Sequence, residues 1–159
     1  MRIRHLSPQP GAVVPGRPPW WRRLWTGRRA ATRVGVLATD ALTGLPDREG
    51  TLAQATALQV RARQCGAGLP LGLLLAELDD TPHLVATHGV GLAESAVHEL
   101  SMALRQGLRQ GDLLGRFAAG AFLIVLPPTD PAHLRMVGER VRAQVQRCTL
   151  RDGASGAVV

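Results

Sequence analysis

One stretch constrains the fold more than any other: from Arg109 to Leu126, two short apolar segments flank a run of small residues. This pattern is typical of a β-hairpin with a Gly/Ala turn. Arg109 and Asp112 precede the hairpin, and a cation and an anion at this spacing can bind a planar polar ligand. The predicted tip, residues 118–121, has no carboxylate. The stretch therefore predicts a pair of binding residues beside a tip without acidic side chains.

Helical and strand patterns alternate along the rest of the chain. Apolar residues at three- and four-residue steps predict helices over 48–64, 92–108 and 131–147. The apolar run Leu69–Leu78 predicts a central strand buried on both faces, and Ala154–Val159 predicts a short last strand. The order α-β-α-β-β-α-β predicts an α/β fold of the sandwich-like α+β type, a central sheet with helices packed on it.

Positive charge is concentrated at the N-terminus. Residues 1–33 contain eight Arg and no acidic residue, whereas residues 34–159 contain eleven Arg and twelve acidic residues. Five Pro within residues 1–19 also disfavour a packed core there. We therefore predict a disordered basic arm over 1–33 and one domain over 34–159, whose ligand the arm's charge does not indicate.

All three tryptophans, Trp20, Trp21 and Trp25, lie among the arginines of this arm. Three interpretations stay open: contact with an anionic membrane surface, docking on a partner protein, or an unstructured basic tail. No folded nucleic-acid-binding motif accompanies the charge, so a nucleic-acid partner is not predicted.

The cysteines and histidines favour neither a disulfide nor a metal site. Cys65 and Cys148 lie far apart without metal-ligand spacing, which is typical of reduced thiols in the cytoplasm. Four histidines lack the helical pairing of metal ligands: His83, His88, His98 and His133. The first two, with Gly89–Gly91, are assigned to a loop. The N-terminus lacks the apolar segment of a signal peptide, so we expect a cytoplasmic protein, peripheral to the inner membrane if the arm binds lipid.

Five segments resemble, in order and spacing, the motifs of the GGDEF domains of diguanylate cyclases, over residues 40–159. They are Asp40–Arg48 for the opening D-x-L-T-G-L-x-N-R, Glu77–Asp79 for D-x-D, Arg109–Asp112 for the product-binding R-x-x-D, Arg116–Phe122 for R-Y-G-G-D-E-F, and Gly138–Arg142 for A-E-R-I-R. The resemblance implies a nucleotidyl-cyclase-like sheet. The family's domain normally continues beyond Val159, so it also implies a C-terminally truncated sheet with an unpaired edge, which favours a homodimer or a protein partner.

The departures from the family pattern fall on its catalytic positions. Those degenerate positions are Glu77, Glu94, Ala118, Ala119, Gly120 and Ala121. The family's phosphate-binding lysine falls on Pro82 and its guanine-reading asparagine on Val85. Divalent cations need oxygen ligands, and phosphoryl transfer needs the charge that they neutralise. We therefore expect no metal, no cofactor and no cyclase activity, with an active cyclase of altered motif as the contrary interpretation.

The product-binding residues remain. Arg109 can donate paired hydrogen bonds to a guanine edge or a phosphate, and Asp112 can accept from guanine. The resemblance adds Arg140, from the following helix, as a third contact, and in the family this arginine often meets a ligand held by the neighbouring protomer. It implies a cyclic di-GMP receptor that signals to a partner, in a family that often controls exopolysaccharide secretion, motility or biofilm formation. The alternative is an interaction module or scaffold that has lost the ligand as well.

Overall fold

The computed structural model of the chain describes residues 2–6 and 38–148. Its strands are β1 (Arg2–Leu6), β2 (Leu71–Glu77), β3 (Leu113–Ala118) and β4 (Ala121–Pro128), and its helices are α1 (Arg48–Gln64), α2 (Thr81–Gly107) and α3 (Pro131–Val145). The strands form an antiparallel sheet in the order β1-β2-β4-β3. The predicted α+β fold and its β-hairpin are confirmed. The predicted strand Ala154–Val159 and residues 7–33 of the arm lie outside the described residues.

Strand β1 lies in the segment for which the sequence predicts disorder. It pairs with β2 in antiparallel register, from Arg2 opposite Glu77 to Leu6 opposite Leu73. For these five residues the prediction of disorder is wrong. The prediction of disorder considered only the apolar surface that the arm can bury by itself. It did not consider the unpaired backbone N–H and C=O groups of β2, which form hydrogen bonds with β1.

Helix α1 begins and ends as the sequence predicts. Asp47 caps it, because its Oδ1 accepts the N–H of Gly50 at 2.8 Å. The buried hydroxyl of Thr51 donates to the carbonyl of Asp47 at 2.5 Å. A Cβ on Gly115 of β3 would lie 1.7 Å from the Thr51 Oγ1, so the helix approaches this strand as closely as a glycine allows. This contact sets α1 over β3 and β4.

Helix α2 begins earlier than its apolar period predicts. Asp80 caps it with an acceptor for the N–H of His83, and the helix then breaks at Gly89, where φ is 82° and ψ is 170°. His83 and His88 are exposed on the helical turns before this break, so their assignment to a loop is wrong. The glycine interrupts the helix at one residue and does not open a loop.

The core lies between one face of the sheet and helices α2 and α3. It consists of Leu74, Ala76, Leu114, Phe122, Ile124 and Leu126 from the sheet, Val97, Leu100, Leu104, Leu134, Val137 and Val141 from the helices, and Leu45 from the loop before α1. In β2 buried and half-buried residues alternate, so the prediction of burial on both faces is wrong. Among the described elements α1 packs on β3 and β4, which leaves the second face of β2 less covered. Residues 121–126 of β4 are all buried.

Candidate functional site

A tight turn over residues 109–112 follows the end of α2. The N–H of Arg109 donates to Oδ2 of Asp112 at 2.9 Å, and the N–H of Asp112 donates to the carbonyl of Arg109 at 3.1 Å. Gly111 has a φ of 117°, a conformation that L side chains rarely adopt. The turn therefore fixes the two residues relative to one another through backbone groups and leaves the Arg109 guanidinium outside the closing hydrogen bonds.

The turn forms one wall of a cleft of about 210 Å³. The cleft is lined by Leu69, Arg109, Gln110, Gly111, Asp112, Leu126, Pro127, Pro128, Thr129, Asp130 and His133. Arg109 is exposed, and its guanidinium has no hydrogen bond or ion pair with the residues that the structure describes. The structure thus places the predicted Arg109 and Asp112 together at one opening.

Arg140 does not join them. Its Nε donates to the carbonyl of Gly107 at 2.7 Å, and it is absent from the cleft lining. The last carbonyls of a helix lack helical partners, so α3 supplies a donor to the end of α2. A Cβ on Gly107 would lie 3.2 Å from the Cα of Val141, which shows how closely the two helices meet there. Within one chain, Arg140 therefore does not converge with Arg109 and Asp112.

The cleft contains residues that the sequence did not mark as functional. Thr129 and Asp130 follow β4, and His133 lies in the first turn of α3, where its N–H donates to Oδ1 of Asp130 at 2.8 Å. The sequence does predict a helix start at Pro131, but nothing local places that start beside Arg109. The pairing of β4 with β3 is what brings them together.

The hairpin tip, residues 118–121, contains backbone and methyl groups but no side-chain oxygen. The carbonyl of Ala119 accepts from Nη2 of Arg116 at 2.9 Å, and the carbonyl of Gly120 accepts from the N–H of Leu78 at 2.8 Å. A Cβ on Gly120 would lie 2.5 Å from Oγ1 of Thr81. The start of α2 therefore packs directly against the tip.

Two acidic residues, Glu77 and Glu94, stand at predicted degenerate positions outside the hairpin. Glu77 is half-buried at the end of β2, opposite Ala121, and Glu94 is exposed on α2 beyond the break at Gly89. Among the described residues no group of three or more His, Cys, Asp or Glu side chains is arranged to hold a metal ion.

Arg116 also joins the tip to the loop before α1. Its Nη1 contacts both carboxylate oxygens of Asp40, at 2.9 and 2.8 Å. Burial raises the pKa of Asp40, but hydrogen bonds from Arg116 and Thr43 more than offset this, and the pKa lies below its ordinary value. The sequence reasoning missed this pair because 76 positions separate its members.

No helix within the described part of the chain is long and apolar enough to span a bilayer.

Comparisons with known proteins agree on the family. A family model described as diguanylate cyclase, GGDEF domain, matches residues 37–155. The response regulator PleD of Caulobacter vibrioides is 30% identical over 110 residues, which make up 69% of this chain and 24% of PleD. The chain therefore spans about a quarter of that relative's length.

Two solved structures share the fold. Diguanylate cyclase SiaD of Pseudomonas aeruginosa, in complex with its activator SiaC, is 30% identical, with a TM-score of 0.67 over 76% of this chain and 45% of that chain. The GGDEF domain of DgcB of Caulobacter crescentus, in complex with c-di-GMP, is 16% identical, with a TM-score of 0.69 over 76% of this chain and 67% of that one. At this identity the second likeness concerns the fold alone.

Proposed function

The chain belongs to the GGDEF-domain family of diguanylate cyclases, and we propose that it is a member without cyclase activity that binds cyclic di-GMP as a receptor. One contrast carries the proposal. The tip has no side-chain oxygen, whereas Arg109 and Asp112 line an open cleft.

The loss of activity rests on the chemistry of the tip. Phosphoryl transfer needs metal ions that neutralise developing charge, and such ions need several oxygen ligands. Ala118 to Ala121 supply none from side chains, and Glu77 is a single carboxylate. Val85 and Pro82 can contribute no side-chain hydrogen bond to a base or a phosphate.

Binding rests on the two charged residues of the cleft. The Arg109 guanidinium can donate two parallel hydrogen bonds to the O6 and N7 of guanine or to a phosphate. Asp112 uses Oδ2 for the turn, and its Oδ1 has no partner among the described residues, so it can accept from guanine N–H groups. Each such charge-assisted bond contributes roughly 1.5–3 kcal/mol.

The test is calorimetric titration of cyclic di-GMP into the wild type and Arg109→Ala, with GTP as a control ligand. We expect measurable binding by the wild type and a loss of roughly 10- to 150-fold in the variant, the equivalent of one charge-assisted contact. Arg135→Ala is the matched control, because Arg135 is exposed on α3 and outside the cleft. Equal binding by Arg109→Ala would place the ligand elsewhere, and formation of cyclic di-GMP from GTP and Mg²⁺ would contradict the loss of activity.

A receptor of this kind acts through a second protein. The relative SiaD is known in complex with an activator protein, which supports a protein-binding surface on this domain too.

One observation favours the alternative, an interaction module or scaffold without ligand. The hydrogen bond from Arg140 to Gly107 leaves two predicted contacts in the cleft where three were expected. The titration separates the two functions: a folded wild type that does not bind cyclic di-GMP is an interaction module.

A further inference from the structure

His133 supplies a third ionisable group to the cleft wall beside Arg109 and Asp112. It is half-buried in the first turn of α3, and its ring has no hydrogen bond with the described residues. We propose that the imidazolium of His133 binds the phosphate of the nucleotide whose guanine is held by Arg109 and Asp112. This inference rests on the proposed function and names a contact that the sequence did not suggest.

The need for a second cation follows from the position of Arg140. Its Nε is used by the carbonyl of Gly107, and it lies outside the cleft lining. Among the residues that line the cleft, only Arg109 and His133 can carry a positive charge. A phosphodiester that enters the cleft while Arg109 holds the base therefore has one side chain left that can pair with it, His133.

The charges facing His133 make its protonation decisive. Asp112 from the turn and Asp130 from the start of α3 are both carboxylates, and Arg109 is the one fixed cation opposite them. The remaining lining from β4 and from Leu69 is uncharged. With a neutral imidazole the cleft carries a net charge of −1 and repels a phosphate, whereas with an imidazolium it is neutral and offers a charged donor. Histidine is the side chain that ordinarily changes charge between pH 5 and 8.

The backbone around His133 favours the same assignment. The N–H of His133 is occupied by Asp130 and Pro131 has no N–H, so neither of these backbone positions can donate to a ligand, whereas His133 itself lines the cleft. The N-terminus of a helix of 15 residues also carries a partial positive charge, which attracts an anion. The capping bond uses the backbone of His133, so a change of its side chain leaves the helix start intact.

The size of the cleft limits what it can hold. A volume of about 210 Å³ is below the range of roughly 300–1,000 Å³ that encloses a drug-sized ligand. A cyclic dinucleotide is larger than this volume, so only part of the ligand enters the cleft and the rest stays at the rim.

The experiment compares affinity at two pH values. Cyclic di-GMP is titrated calorimetrically at pH 6.0 and pH 8.0 into the wild type, His133→Gln and His88→Gln. We expect the wild type to bind about three- to tenfold more tightly at pH 6.0, since the charged ring adds an ion pair. His133→Gln then binds equally at both values, close to the wild type at pH 8.0. His88→Gln, a change at an exposed histidine outside the cleft, keeps the wild-type pH dependence.

A second measurement does not depend on a variant. The ring resonances of His133 in the wild type, followed by NMR at pH 6.0, shift on addition of cyclic di-GMP. A wild type whose affinity is the same at both pH values, or a ring that does not respond, overturns the role of His133 while binding that needs Arg109 still supports the receptor. A wild type that binds at neither pH overturns both.

Discussion

The turns at the two ends of strand β3 are both held by hydrogen bonds to backbone groups, but they differ in the charged side chains that they carry. At one end the tip is held by hydrogen bonds from Arg116 and Leu78 to its carbonyls. At the other end the turn over 109–112 is held by hydrogen bonds between Arg109 and Asp112. The tip has no charged side chain, whereas the turn presents two at an open cleft. Under the proposed function, this fold keeps the geometry of two sites and the chemistry of one.

The largest expected effect comes from the strand that joins the two ends. Gly115→Ala sets a methyl group 1.7 Å from the buried Oγ1 of Thr51, so we expect a loss of about 3 kcal/mol in the free energy of unfolding. Urea denaturation measures it. Gly91→Ala is the control, because a Cβ there has no neighbour within 4 Å. An unchanged midpoint for Gly115→Ala would mean that α1 does not pack on β3 as described.

A smaller effect is expected where the tip is tied to the loop before α1. Asp40→Asn removes the anion that Arg116 contacts, and we expect a loss of about 2 kcal/mol at pH 7. The pKa of Asp40 is lower folded than its ordinary value of 3.8, so its contribution is present above pH 3.8 and is lost as pH falls through the folded-state pKa. The wild type therefore loses more stability than the variant below pH 4.

The comparison is sharpened by measuring ligand binding in the same variant. Asp40→Asn removes a contact of the tip and no contact of the turn over 109–112. The two sites share no partner residues, so we expect the affinity for cyclic di-GMP to stay within about twofold of the wild-type value. For the stability measurement the matched control is Glu139→Gln. Both side chains of the Glu139–Arg142 pair are at least half exposed, and an exposed pair contributes little to stability. The difference in the free energy of unfolding between the wild type and Asp40→Asn should shrink as the pH falls. A difference that stays constant from pH 7 to pH 3 would refute the assigned role of Asp40.

The smallest effect is expected from restoring an acid at the tip. Ala119→Gly combined with Gly120→Asp adds a carboxylate, and Thr81→Ala is included because a Cβ at position 120 would otherwise lie 2.5 Å from Oγ1 of Thr81. Val85 and Pro82 still lack the groups that bind a base and a phosphate. We expect no cyclic di-GMP from GTP and Mg²⁺ by chromatography, and unchanged binding at the cleft. The six residues of β3 span about 20 Å, which separates the two sites. Synthesis by this variant would mean that the tip alone had been limiting.

The sequence predicted correctly those elements that depend on residues close together in the chain. The bounds of α1 and the hairpin follow from Asp47, the apolar period and the small residues at the tip. The errors arose where distant residues decide: β1 takes its hydrogen bonds from β2, and Arg140 donates to Gly107, 33 positions away. His133 lies in the cleft because β4 pairs with β3, and the spacing of residues in the sequence does not predict that pairing's effect on His133. Arg109 and Asp112 were predictable because three positions and one turn relate them.

The strand order also has a consequence for how the chain folds. The partners β3 and β4 are joined by Ala119 and Gly120, whereas residues 78–120 must be looped out before β2 can pair with β4. Short loops close at a lower entropic cost, so we expect the hairpin to pair before β2 joins β4. A hairpin that pairs first has a role in folding that does not depend on chemistry at its tip.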